Sequence, residues 1–261
     1  MQIRRSQAAA VLLLGAFLGG CASTPPYQGM DADQMFELGA RDFEAGDWDE
    51  AVRVFERFLY EDPTNARIVE ARLYLARAYF NREDYLTSAS EFSRIIDRHP
   101  GDVRAPEASL GICKSYVALS PHIQRDQAYT LQAFNACDNV VQDFGGSEVS
   151  IEAEQLRDQM REKLARKELS RGDFYFRRKL YDSGIIYYNG LLTLYPRTPA
   201  AAQALLRLYQ SYTEIGWERE AEEARQRLLR DFPDSDEARE VRANGGEGGG
   251  PPSGPVQGRS P

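Results

Sequence analysis

Gly46-Asp47-Trp48-Asp49-Glu50-Ala51-Val52-Arg53-Val54-Phe55, with Asp62-Pro63 after it, is the stretch whose pattern the rest of the chain repeats. Turns of the same kind recur at His99-Pro100, Tyr195-Pro196 and Phe232-Pro233, and Phe144-Gly145 takes the same place with glycine ending the helix. The first two prolines are 37 residues apart, and so are the last two. Eight residues before each turn stand Phe55, Phe92, Cys137 and Tyr188, with Arg225 breaking the rule. Four residues earlier a small residue stands every time: Ala51, Ser88, Ala133, Gly184 and Ala221. The preceding helix offers a facing small residue at Gly39, Ala76, Cys113 and Gly172, with Tyr209 the exception. Small side chains at both slots let two antiparallel helices approach closely. The pattern therefore predicts an all-α chain of about five helix pairs, near 31–63, 68–100, 104–145, 148–196 and 199–233.

Two units depart from the frame. The third inserts about eight residues between its helices within Ala118 to Gln127, and the fourth opens with a long helix uninterrupted from Glu148 to Arg171. The motif resembles the tetratricopeptide repeat, carried by Leu38, Gly39, Gly46, Ala51, Phe55 and Pro63 in the first unit and by Leu208, Tyr212, Gly216, Ala221 and Pro233 in the last. A helix pair of that kind cannot bury its apolar face alone, so the resemblance implies a stacked superhelix with a concave groove.

Ahead of the repeats, Arg4-Arg5 and an uncharged run from Ala8 to Leu18 read as a secretory signal peptide over 1–20. That run is too short for the roughly 20 residues of a spanning helix. Leu18-Gly19-Gly20-Cys21 resembles the bacterial lipobox, which implies a lipidated Cys21 and anchoring to a membrane by several acyl chains. Ala22, where an aspartate would signal retention, implies sorting to the outer membrane. Residues 21–30 read as the lipidated tether, 31–242 as the repeat domain, and Gly/Pro-rich 243–261 as a disordered tail. The net charge of −8 falls to about −10 without Arg4 and Arg5, which disfavours nucleic acid as a partner.

No nucleophile–base pair, phosphate loop or metal-ligand cluster is recognisable, so neither catalysis nor a metal or cofactor is expected. His99 precedes a turn proline and His122 lies in the insertion. Cys113 and Cys137 face one helix interface. Either a disulfide or two buried thiols fits there, and the thiols are the favoured reading.

Signal peptide, lipobox, five repeats and Lys179-Leu180-Tyr181-Asp182-Ser183-Gly184-Ile185-Ile186-Tyr187-Tyr188 before Tyr195-Pro196 together resemble the outer-membrane β-barrel assembly lipoprotein family, BamD or YfiO. That likeness runs from Cys21 to Phe232. It implies a scaffold on the periplasmic face of the outer membrane, with the β-barrel insertase, its periplasmic domains and the C-terminal segments of unfolded barrel precursors as partners. Some members carry an arginine nine residues before the fourth unit's turn proline, implicated in contact with the barrel subunit. Tyr187 stands there, so that contact is not carried over. A pilotin-like lipoprotein for a secretin and a periplasmic coordinator of cell-wall synthesis or division remain the alternatives.

The tetratricopeptide resemblance places the concave lining at Asp33, Phe36, Ala40 and Phe43 in unit one, and at Glu70, Leu73, Arg77 and Phe80 in unit two. Unit three adds Glu107, Leu110, Lys114 and Val117, while Gln203, Leu206, Gln210 and Thr213 make the last unit more polar. Phe36, Phe43, Leu73 and Phe80 would form an apolar slot for an extended peptide, with Arg77 facing its terminal carboxylate. The alternative, and the favoured reading, is that these rings pack helix against helix. Lys163, Lys167 and Arg171, at i, i+4, i+8, form a candidate basic stripe for an acidic partner, and a merely solvated helix face is the favoured alternative.

Overall fold

The computed structural model describes Tyr27 and residues 29–246. The signal peptide 1–20, Cys21 and most of the tether lie outside the described residues, as do residues 247–261 of the tail. Among the described residues there are eleven α-helices and no strand. They pair as α1 (Ala32–Glu44) with α2 (Trp48–Glu61), α3 (Ile68–Asn81) with α4 (Tyr85–Arg98), and α5 (Ala105–Leu119) with α6 (Ala128–Asp143). The series continues as α7 (Glu148–Phe176) with α8 (Tyr181–Leu194), then α9 (Pro199–Glu214) with α10 (Glu218–Asp231), and ends on α11 (Asp236–Gly246). Each helix packs on the next, and each unit's first helix also touches the first helix of a neighbouring unit. The core thus runs along the array as linked clusters.

Local chemistry starts the helices. Asp31 accepts from Gln34 N at 2.8 Å while Gln34 Oε1 accepts from Asp31 N at 3.1 Å, a reciprocal cap on α1. Ser147 and Thr198 cap α7 and α9. The small slots do what their spacing implied. Gly172 and Gly184 flank the fully buried Tyr188 ring, and a Cβ at Gly172 would overlap it. Tyr188 Oη donates to Asp173 Oδ1 at 2.8 Å, and burial pushes the phenol's pKa up.

The turn inside units one, two, four and five is built one way. Asp47 N donates to Asp42 O, Asp84 N to Tyr79 O, Leu180 N to Tyr175 O and Trp217 N to Tyr212 O, at 2.9 to 3.1 Å. These bonds take up carbonyls left free at the helix end. The residue before each of those donors has left-handed backbone in every case: Gly46, Glu83, Lys179 and Gly216, with φ of 80°, 64°, 58° and 76°. An aromatic pair then clasps the turn. Phe43–Trp48, Phe80–Tyr85, Phe176–Tyr181 and Tyr212–Trp217 have ring centroids 5.0, 5.2, 5.5 and 5.9 Å apart.

Unit three has neither device. Cys113 and Cys137 are instead joined, with sulfurs 2.07 Å apart and Cα atoms 4.8 Å apart, so a disulfide takes the place of the favoured free thiols. Both cysteines are buried, and the bond ties α5 to α6 beneath the inserted loop.

Two boundaries shift. The repeat domain expected to end at 242 extends further, because α11 runs through Gly246. Ala238 and Val241 bury against the α9–α10 cluster and carry the helix past residue 242. At the other end, Tyr27 and Met30 are half-buried against the unit-one core, so the last part of the tether is packed.

Candidate functional site

A cavity of about 280 Å³ opens across the first three units. Phe43 comes from α1, Arg77, Phe80 and Asn81 from α3, Phe92 from α4, and Glu107, Leu110, Gly111 and Lys114 from α5. Three of the five groove residues expected from the sequence, Phe43, Arg77 and Phe80, therefore meet at one place. Stacking brings them together, since the first helices of successive units lie side by side. Gly111 lets Phe92 reach this surface, because a Cβ at Gly111 would stand 2.5 Å from that ring.

Phe36 and Leu73 are not in this lining. Phe36 is 1% exposed, with the rings of Phe55, Phe58 and Tyr74 edge-on at 5.6 to 5.8 Å. The Arg67 guanidinium closes over its face at 3.3 Å. Leu73 is 5% exposed and packs with Phe92, Ile95 and Ala108. Both point into the seam between helices rather than the groove. For these two the helix-packing alternative holds.

The charges at the cavity are already paired. Arg77 Nε donates to Glu107 Oε1 at 2.8 Å, with Nη2 on the same oxygen, which bridges units two and three. Lys114 Nζ lies 2.8 Å from Glu152 Oε1 on α7. A ligand carboxylate would have to displace Glu107 to reach Arg77. Apolar walls beside an exchangeable cation suit an extended peptide carrying an aromatic or aliphatic side chain.

The expected basic stripe takes on another role. Lys163 Nζ donates to Ser120 Oγ at 2.7 Å and Ser120 O at 3.2 Å, and burial pulls its pKa down. Lys167 Nζ donates to the carbonyls of Gln124 and Arg125 at 3.0 and 3.2 Å. These amines hold the unit-three insertion, whose free carbonyls need donors. Arg171, 51% exposed and paired with Glu168 at 2.7 Å, is the member left facing outward. It lines a second, shallower cleft with Phe174, Tyr175 and Tyr187, where Gln124 of the insertion forms one wall. Among the described residues no group of histidine, cysteine and carboxylate side chains is placed to hold a metal, and no helix is long and apolar enough to cross a membrane.

Comparison with known proteins adds four likenesses. The family model YfiO, outer membrane lipoprotein, matches residues 28–228. The outer membrane protein assembly factor BamD of Caulobacter vibrioides is 27% identical over 229 residues, covering 86% of this chain and 75% of that one. The factor of the same name from Rickettsia prowazekii is 25% identical over 228 residues, covering 87% and 91%. Among solved structures, a thermophilic tetratricopeptide-repeat protein of Thermus thermophilus aligns with a TM-score of 0.35 and 20% identity, covering 82% of this chain and 98% of that one.

Proposed function

The chain belongs to the YfiO family of outer membrane lipoproteins, and on that premise we propose that it serves outer membrane protein assembly as a non-enzymatic scaffold. Lipid on Cys21 holds it to the periplasmic face of the outer membrane, beside the β-barrel insertase and its periplasmic domains. The groove of units one to three takes the C-terminal segments of unfolded barrel precursors. The observation that carries the groove reading is the convergence of Phe43, Phe80, Leu110 and Arg77 on one cavity.

A peptide ending in an aromatic residue tests it, with affinity measured by titration calorimetry. Phe80→Ala and Arg77→Ala should each weaken binding about tenfold, the scale of losing one anchoring ring or charge-assisted contact. Phe36→Ala should lower stability and spare affinity, because that ring lies in the core. Unchanged affinity in both groove variants removes the groove reading. A tagged pull-down from solubilised outer membrane tests the scaffold role separately: recovery of a β-barrel insertase supports it, and recovery of a secretin ring instead points to the pilotin alternative. Cys21→Ala should release a folded helical protein into the soluble fraction.

A further inference from the structure

Trp217 is 50% exposed, whereas its counterparts Trp48, Tyr85 and Tyr181 in the other turn clasps are more deeply buried. In units one and four the next unit's first helix reaches the clasp, with Tyr74 against Phe43, Arg207 over Phe176 and Glu214 at Tyr181. Among the described residues, unit five is followed by α11 alone, which packs on α9 and α10 through Ala238 and Val241. The Tyr212–Trp217 pair, nearly parallel at 16°, is thus left open at the end of the array.

We propose that this open clasp is a docking site for the chain's own C-terminal segment, with Pro251-Pro252 and Pro255 lying across the Trp217 ring. The path of the chain supports that occupant. Helix α11 follows α10 after a short turn, starts beside the start of α9 and packs along it, and so runs toward the edge where α9 ends and α10 starts at Trp217. At 1.5 Å per residue, the 14 residues of α10 and the 11 of α11 differ by about 5 Å, so α11 ends near the level of that ring. Pro251 comes five residues after Gly246, within roughly 15 Å at the 3.1 Å rise of a polyproline strand.

The chemistry agrees. Proline-rich strands dock on exposed aromatic rings because their shape is largely preset, so little entropy is lost on binding. Between 247 and 261 the chain carries one acid, Glu247, and one base, Arg259, so little charge must be stripped of water when the segment covers the ring.

The two tryptophans make the test direct. In a Trp48→Phe background of the mature chain, Trp217 is the single emitter. A chain ending at Gly246 should shift its emission to the red and roughly double its acrylamide quenching, since a half-exposed ring loses its cover. Changing Pro251, Pro252 and Pro255 together to serine, with the length kept, should do the same while far-ultraviolet dichroism stays constant. Equal emission and quenching in all three proteins overturns the proposal. So does protection of Trp217 that fades on dilution, since the cover is then a second copy of the chain.

Discussion

Unit three and its four neighbours meet the same demand, turning the chain back between antiparallel helices, with opposite strategies. In units one, two, four and five the turn is self-contained: a left-handed residue, a bond back to the helix end and a ring pair five residues apart. Unit three uses about eight more residues and has to be held from outside them. A disulfide grips the helices below the loop, and two lysines from the next unit's helix donate to the loop's carbonyls. A local turn can form as soon as its helix does, whereas a loop supported by α7 waits until its neighbour is in place.

That contrast can be broken in order of expected size. Changing Cys113 and Cys137 together to alanine should cost about 3 kcal/mol, the scale for a cross-link closing a loop of this length, read as a lower urea midpoint. Phe176→Ala opens the clasp of unit four and should cost roughly 2 kcal/mol, less than the roughly 3–5 kcal/mol of a fully buried ring. Lys163→Met strips two hydrogen bonds from Ser120, at about 1 kcal/mol each. Its signature is faster amide exchange over 120–127 with exchange at the four short turns unchanged. Lys179→Gly should instead stabilise by a few tenths to about 1 kcal/mol, because glycine accepts left-handed backbone without the Cβ clash.

The smallest effect concerns another support lent by α7. Glu162 accepts from Ala200 N at 3.1 Å at the start of α9, and burial raises its pKa above 4.5, outweighing that bond. Its folded value therefore exceeds its unfolded one. The linked stability is present below pH 4.5 and is lost as pH rises through the folded value. Glu162→Gln should flatten that segment of the stability curve; an unchanged slope would assign it to other carboxylates.

The helix pairs were legible in the sequence because small residues and turn prolines recur at fixed spacing. The aromatic clasps were equally present as Phe43/Trp48, Phe80/Tyr85, Phe176/Tyr181 and Tyr212/Trp217, but a separation of five residues has meaning only once the chain reverses between the two rings. Groove membership was harder to read. Phe36 and Phe43 are both apolar and stand two turns apart on one face of α1, and only the neighbouring helix decides which ring is covered. The lysine stripe was hard to read for a related reason: its acceptors, three backbone carbonyls and the Ser120 hydroxyl, lie some forty residues away and carry no signature in the sequence around the lysines.

Helix α7 is 29 residues long, about 43 Å, and it is shared by units three and four. Its first half packs under α5 and α6, and its second half is the partner of α8. The connection at 144–147 joins the two units, but α7 runs unbroken against α5 and α6 as well as α8 and α9, so the middle of the molecule behaves as a beam. Bending there must distort many helical hydrogen bonds at once, whereas the connections at 62–67, 99–104 and 195–198 can pivot by rotating a few dihedrals. A load applied at the end formed by units one and two would pass through the beam with its direction preserved and reach the far units as a rotation rather than a slackening.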